Sequence, residues 1–480
     1  MNHMNSYNLE YDKALRLFLD LEQEYNTFSI KINGTPVWER IRQNLFRKIL
    51  RKLDIINQPH SSVDKSNIFN HIKGVYKWGR SLFLKNPFFA SKSDFFFMGS
   101  SRRKPREDGF QWDLFCDPIL NNLDLDYVYS EPPYEFSHKK PAKTENIKYL
   151  DVITYTSVVQ RELGFANYEL TEDEERKLLA IERGLSDAFD ISVCLCDLVR
   201  EKMRERKSKK WLYERLLDRI QPKIAVIVAS AFKHTFIEVC KNRDLPVVEL
   251  QHGGFGPDHL GYSFTGNKSS TTFPDYLFVF GEFWKENINF PIRDENVYPV
   301  GYQYLEEEKK KYEDIQNKQQ ILFISQGPFG KVISKFAAEL AVYDVEYSII
   351  YKLHPGEYAR WKDEYPWLDR APIKVLDNDS VPLYKLLAES EIQVGVNSTV
   401  IWEGLNFDLD TYLLNAPGIT RMEYLIEQNV ASVVSSPEEF IGILNGERDR
   451  TDNYDLKYFF EPNPIRNISK AFDNIMEREY

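Results

Sequence analysis

Short unbroken apolar runs alternate with helical stretches twice along this chain, and that recurrence limits the fold more than any other feature. The first series holds Asp94-Phe-Phe-Phe-Met-Gly, Leu125 to Tyr129, Ile224-Ala-Val-Ile-Val-Ala and Pro246-Val-Val-Glu-Leu. The second holds Gln320-Ile-Leu-Phe-Ile-Ser, Tyr347-Ser-Ile-Ile-Tyr-Lys-Leu, Ile373 to Leu376, Ile392-Gln-Val-Gly-Val and Thr411 to Leu414. A brief apolar run bounded by turn residues reads as a strand buried on both faces. Helical patterns fall between them, at Phe232 to Asn242, Ile333 to Val342, Leu383 to Ala388 and from Thr399. Strand, helix, strand in that order implies parallel sheets joined by crossovers. A chain of 480 residues also exceeds what one hydrophobic core serves.

The expected fold class is therefore α/β, two Rossmann-like doubly wound domains with an N-terminal helical extension. Residues 1–92 read as a basic helical extension, 93–303 as the first, acceptor-side domain, and 304–463 as the second, nucleotide-donor domain. Residues 464–480 read as a C-terminal helix packing back across the cleft. Tyr304 to Lys318, dense in Glu and Lys, suits the connection between domains. Thr171 to Lys207 reads as one long charged helix, with another from Lys210 to Ile220. Gln58 to Ser66, polar and carrying a proline, reads as a loop.

Charge excludes one broad class. The net charge is −11, against the basic footprint that a nucleic-acid binder needs, so no nucleic-acid partner is expected. Yet Arg40 to Arg106 holds sixteen Lys and Arg against three acids, with Trp78, Phe83, Phe88 and Phe89 among them. Two readings stand: the segment docks on an anionic membrane surface, or it packs against the acidic remainder. The four cysteines show no zinc spacing and no disulfide framework. The first residues are polar, and no apolar run approaches the roughly 18 residues of a membrane span. The expected location is cytoplasmic, with peripheral contact to the inner face of the cell membrane.

Ligands of open parallel sheets bind beyond the carboxyl ends of the strands, so four strand ends are the candidate sites. Gln251-His252-Gly-Gly-Phe-Gly-Pro-Asp258-His259 places two histidines and three glycines in one loop. A histidine there can take a proton, and glycines let backbone approach a ligand. Lys352, His354 and Pro355 close another strand, a cationic pair followed by a fixed turn that suits a phosphate. Asn397, Ser398 and Thr399 open a helix after a buried strand, a place for hydroxyls and free amides to meet an anion. Glu403, one turn further on, would reach a ribose hydroxyl. Ser325, Gln326 and Gly327 begin a glycine-bearing loop that lacks the full phosphate-loop pattern. Each has a structural reading too: a glycine turn, a His-Pro turn, a helix cap. Asp-x-Asp pairs occur at the frequency such an Asp-rich chain gives by chance, so no metal and no resident cofactor are expected.

The set Lys352-Leu-His354-Pro355 with Asn397-Ser398-Thr399 resembles the His-Pro and Ser-Ser/Thr motifs of bacterial sialyltransferases and Kdo-type capsule transferases. These are glycosyltransferases of the B fold (GT-B), and the resemblance covers about Gln320 to Glu439 plus one loop of the first half. It implies that His354 contacts the phosphate or base of a nucleotide-sugar donor, Ser398 and Thr399 the phosphate, and Glu403 the ribose. Those families place an acidic general base in the first domain. Here His252 stands in its place, which makes it the candidate base, with Asp258 and His259 next in line. Glycerophosphotransferases of teichoic-acid synthesis carry a similar His-Gly element. The resulting expectation is an inverting, metal-independent transfer of a sugar, a CMP-sugar being one candidate donor, to a cell-surface glycan or lipid-linked acceptor. The alternatives are a CDP-glycerol-type glycerophosphotransferase and a nucleotide-sugar epimerase of the same fold.

Overall fold

The computed structural model of the chain describes residues 2–56, 76–134, 136–264, 266, 269–446 and 454–479, and for 2–9 the backbone alone. The loop expected at Gln58 to Ser66 lies outside the described residues. The first apolar series forms seven strands: β1 (Phe95–Met98), β2 (Tyr127–Glu131), β3 (Lys148–Tyr149), β4 (Ile224–Val228), β5 (Val247–Leu250), β6 (Tyr276–Val279) and β7 (Val297–Pro299). They lie side by side in the order β7-β6-β5-β4-β1-β2-β3, all parallel. Helices α1 (Asn2–Glu24), α2 (Trp38–Lys52), α3 (Asp151–Glu162), α4 (Glu172–Phe189), α5 (Leu195–Ile220) and α6 (His234–Lys241) belong to the same half of the chain.

The second series forms β8 (Lys318–Ile324), β9 (Ser348–Lys352), β10 (Lys374–Leu376), β11 (Ser390–Gly395), β12 (Asp410–Leu414) and β13 (Ala431–Val434). Their order is β10-β9-β8-β11-β12-β13, again all parallel. Helices α7 (Gly330–Leu340), α8 (Thr399–Gly404) and α9 (Pro464–Glu479) follow in chain order. In each sheet the chain steps outward from its first strand to one edge, then crosses back to the other side. The reversal falls between β1 and β4, and between β8 and β11. Strand ends diverge there and leave a crevice, the usual ligand position of such sheets. Two doubly wound domains of this order form a GT-B-type architecture.

Side chains alternate across the first sheet. Phe96, Met98, Ala225, Ile227 and Val247 face α3, α5 and α6 through Ile153, Leu216 and Phe236. Phe95, Phe97, Ile224, Val226 and Val248 face α9 through Ile468, Phe472 and Ile475. The unbroken apolar runs are thus explained by helices on both faces. One face of the second sheet packs α7 through Ile333 and Phe336. Its other face joins an aromatic core shared with the first domain, where Trp402 of α8 lies 4.7 Å from Phe283 and 5.2 Å from Trp284.

Four differences from the sequence reading have physical causes. The helical stretch from Thr171 breaks at Asp190, whose φ of 51° ends α4, and α5 then runs unbroken through Lys207 to Lys210. Strands β3, β6, β7 and β13 were not anticipated; all four have four residues or fewer, and the two middle residues of β13 are not buried. Residues 303–311 form a helix whose Glu308 is buried and receives Arg106, as does Glu307, so the connection is braced. Finally, α1 and α2 do not stand apart as an extension. Phe18, Ile41, Leu45 and Ile49 share one core with Leu178, Leu185 and Val199 of α4 and α5. Arg40 is buried against Glu238 at 2.5 Å, and Arg42 grips Glu22 with two bonds of 2.6 and 2.7 Å. These two cations are spent inside the protein.

Candidate active site at the interdomain seam

The loop after β5 crosses to the second domain. Gly254 donates its backbone N–H to the Thr399 hydroxyl at 2.6 Å. A Cβ on Gly253 would stand 3.3 Å from that same hydroxyl oxygen, and one on Gly256 only 2.7 Å from Cγ of Arg421. The glycines in this loop therefore serve close approach of the other domain. Asp258, buried in the same loop, accepts from Tyr11 Oη of α1 and from Arg421 Nε of the second domain, both at 2.6 Å. Both carboxylate oxygens accept a hydrogen bond, which makes Asp258 a clamp between three elements.

His252 is placed differently. Its ring stands edge-on to Phe115 and Phe255 and is tilted against Tyr262, with centroids 6.0 to 6.3 Å apart. Its side chain keeps 28% exposure. Burial, then the charges of Lys233 and Arg102, push its pKa down to about 4. The imidazole is consequently neutral, with a lone pair, at any physiological pH. His259 packs on Phe255 and Tyr262, and burial together with Arg421 and Arg47 holds it well below its ordinary value.

Glu249, three residues before His252, is fully buried on β5. Its Oε1 accepts from the Ser230 N–H at 3.0 Å and from the Tyr262 hydroxyl, and lies 3.8 Å from Nδ1 of His252. Burial raises its pKa. It was not singled out in the sequence, although a lone Glu inside the run Val247-Val-Glu-Leu is a visible break in an apolar strand.

On the second domain, Gln326 and Asn397 span the crevice between β8 and β11. Gln326 Nε2 donates to Asn397 Oδ1 at 2.9 Å, and Asn397 N donates to Gln326 Oε1 at 3.0 Å. Asn397 also donates to the Gly418 carbonyl at 2.8 Å. Ser398 is the cap of α8, accepting from Val400 N at 3.3 Å. Ser325 is buried and bonded to the Tyr351 hydroxyl at 3.0 Å, while the space beside Gly327 is open. These residues do converge at one strand-end crevice, facing Gly254 across the seam.

Lys352 and His354 part company. The Lys352 ammonium turns inward to the Tyr358 hydroxyl and the Asn378 carbonyl, both at 2.6 Å. The strand ends at Lys352, so the shared face expected for the pair does not extend to His354. His354 is exposed, caps the 3-10 turn Pro355–Glu357 by accepting from Gly356 N at 3.1 Å, and leaves Nε2 outward. Burial, then the nearby charges of Lys104 and Arg102, lower its pKa. Those two cations reach over from the loop after β1, and neither was read as a site residue. The basic run Arg102-Arg-Lys104 was the available signal. Arg103 between them is buried against Glu131 at 2.7 Å and Asp117 at 3.0 Å.

Glu403 does not point to the crevice as expected. It is buried, accepts from the Tyr384 hydroxyl at 2.8 Å, and neighbours Tyr302 and Tyr304. Burial pushes its pKa up to about 7. In this structure its carboxyl belongs to a tyrosine cluster at the domain interface.

No protein-family model matches the chain, and no curated protein matches it. Among solved structures it is similar to a putative UDP-N-acetylglucosamine 2-epimerase from Listeria monocytogenes, at 11% identity and TM-score 0.47, over 81% of this chain and 98% of that one. It is also similar to the wall teichoic acid polymerase TagF, at 12% and 0.42 over 91% and 98%, and to the calicheamicin glycosyltransferase CalG4, at 12% and 0.39 over 81% and 98%. The strand orders above, rather than these likenesses, define the architecture. No described helix is long and apolar enough to cross a membrane.

Proposed function

We propose that this chain is a glycosyltransferase that moves a sugar from a nucleotide-activated donor to a cell-surface glycan or lipid-linked acceptor. The observation that carries the reading is the bond from Gly254 to Thr399. It brings the His252 loop of one domain to the crevice of the other, where Gln326, Asn397 and Ser398 gather. Arg102 and Lys104 add positive charge beside His354. The donor's nucleotide occupies the second-domain crevice, and its phosphate meets those cations and the crevice amides.

In the step itself, the acceptor hydroxyl gives its proton to neutral His252 while its oxygen bonds to the anomeric carbon. The bond from that carbon to the phosphate oxygen breaks, and the electron pair leaves with the nucleotide. Attack from the side opposite the nucleotide inverts the configuration. Charge gathering on the leaving phosphate is met by Arg102, Lys104 and His354, without a metal. A CMP-sugar is the donor class that the His-Pro and Asn-Ser-Thr elements favour. The His252-Gly253 element supports a second reading, glycerophosphate transfer from CDP-glycerol, in which the hydroxyl attacks phosphorus instead.

A lipid-linked acceptor would be met at a membrane, and an exposed aromatic patch supports a docking surface there. Tyr76, Phe83, Leu84 and Phe89 are exposed on residues 76–89. Lys85 among them is crowded by Lys140 and Lys148, whose charges add to burial in lowering its pKa. Aromatic side chains beside clustered cations suit an anionic bilayer. The test of the main reading is nucleotide release from a panel of nucleotide sugars and CDP-glycerol with added acceptors. Release from a nucleotide sugar supports transfer of a sugar, release from CDP-glycerol alone favours the second reading, and no release or nucleotide binding contradicts both.

A further inference from the structure

Behind the seam, two buried polar atoms of neighbouring side chains each lack a hydrogen-bond partner among the described residues: Nδ1 of His252 and Oε2 of Glu249. Buried polar atoms are nearly always paired, so two orphans in neighbouring side chains call for an explanation. The nearest approach is 3.8 Å, from His252 Nδ1 to Glu249 Oε1. A ring movement of about 1 Å would bring the two groups to hydrogen-bond distance. The carboxylate itself cannot drift, because Ser230 N and the Tyr262 hydroxyl hold Oε1 and the strand pairs on both sides hold its backbone.

The cations Lys233 and Arg102 act on the pair, and Asp113 acts in turn on Lys233. Lys233, whose ammonium donates to the Val228 carbonyl, is the cation nearest Glu249, and burial lowers its pKa to about 8. Arg102 approaches His252 from the loop after β1, and His259 and Tyr262 pack beside it. Since Nδ1 is buried, the exposed part of the ring lies on its far side.

We propose that Glu249 is the positioning residue for His252. It holds the imidazole in the tautomer that carries its proton on Nδ1, directed at the carboxylate, and so presents the Nε2 lone pair to the seam. When Nε2 takes up a proton, the imidazolium forms against a fixed carboxylate instead of an apolar wall. This rests on His252 as the proton acceptor of the proposed reaction, and it adds the group that makes one of the two ring nitrogens the acceptor.

The test reads the tautomer directly and needs no substrate. Histidine-selective 15N labelling of the full chain gives resonances for 8 histidines, and His252 is identified by its loss in His252→Gln. The wild-type ring should show Nδ1 protonated and Nε2 bare at pH 7. Glu249→Gln keeps an acceptor for Ser230 and Tyr262 but turns an amide N–H toward the ring, so the tautomer should invert. Tyr262→Phe removes one donor from Oε1 and frees it for His252, so the His252 pKa should rise. A wild-type ring protonated on Nε2 overturns the proposal, and so does a folded Glu249→Gln protein whose tautomer is unchanged. Should Glu249→Gln fail to fold, an unmoved or lowered His252 pKa in Tyr262→Phe overturns it equally. Nucleotide binding plays no part in these readings, so the proposal and the assigned function fail or stand separately.

Discussion

Gly254 of the first domain donates its amide hydrogen to the hydroxyl of Thr399 of the second at 2.6 Å. Through this bond the loop carrying His252 is registered against the crevice between β8 and β11. A proton acceptor placed there should be dispensable for binding and needed for turnover. His252→Ala is expected to keep nucleotide affinity while lowering kcat by ~10²–10⁴, the ordinary contribution of a general base. Because its pKa lies near 4, the acid limb of kcat/KM should fall near pH 4 in place of 6.5. Near-normal turnover in the variant would pass the role to another group.

Asp258 joins Tyr11 of α1 to Arg421 of the second domain. Removing its charge leaves the half-buried Arg421 facing a neutral group. Asp258→Asn should lower unfolding free energy by about 3 kcal/mol, as breaking one partner of a buried pair does. Urea unfolding followed by fluorescence measures it. A change below about 0.5 kcal/mol would show that the clamp is solvated in solution.

Between about pH 4 and 7 stability should respond to groups of opposite sign. His234 and His252 have folded pKa values depressed to about 3 and about 4, and His259 is depressed as well. The unfolded chain therefore binds more protons below about 6.5, and stability is lost as pH falls from there toward 4. Glu403 has the opposite sign. Its folded pKa of about 7 makes its contribution complete below about 4.5 and lost as pH rises through 7. Glu403→Gln should remove this loss, which accumulates between about pH 4.5 and 7 and reaches up to about 3 kcal/mol. Thermal melts of both proteins from pH 4 to 9 check this; the curves should diverge between about pH 4.5 and 7 and run parallel above, and parallel curves across about pH 4.5 to 7 would contradict it.

The membrane surface should be the exposed aromatic patch and not helix α2. Flotation with vesicles of anionic lipid at low salt is expected to carry the protein, and the fraction bound should fall at high salt. Phe83→Ser with Phe89→Ser should reduce binding at least several-fold, since both rings are exposed and bury little on folding. Neutral vesicles should bind weakly. Equal binding by Lys48→Glu, on α2, and by wild type is also expected. Failure to float at low salt would reject the surface.

Much of this architecture was legible because buried parallel strands leave unbroken apolar runs. Ile224 to Val228 and Ile392 to Gly395 announced their sheets directly. Short strands such as Lys148–Tyr149 carried no such signature, and their pairing depends on neighbours distant in sequence. The strand-end loops were legible as well, since Gln326, Asn397, Ser398 and Thr399 do meet at one crevice. What a sequence could not show was the direction of each side chain. Lys352 and Glu403 sit at site positions but turn inward, to Asn378 and Tyr384. For Arg40 and Arg42 both membrane docking and packing against acidic residues were open, and they are internal, because Glu22 and Glu238 neutralise them across 20 and 198 positions of the chain. Arg102 and Lys104 joined the site only through the folding of one domain against the other.

The most direct test of the account is nucleotide binding in the second-domain crevice. Wild-type protein titrated calorimetrically with CMP, CDP, UDP and UMP should bind one base family clearly more tightly than the others. Ser398→Ala with Thr399→Ala, in a protein that melts as wild type does, should weaken that binding by ~2–4 kcal/mol, two charge-assisted bonds being lost. Absence of binding by every nucleotide, or unchanged affinity in the folded double variant, would contradict the assignment of the donor site.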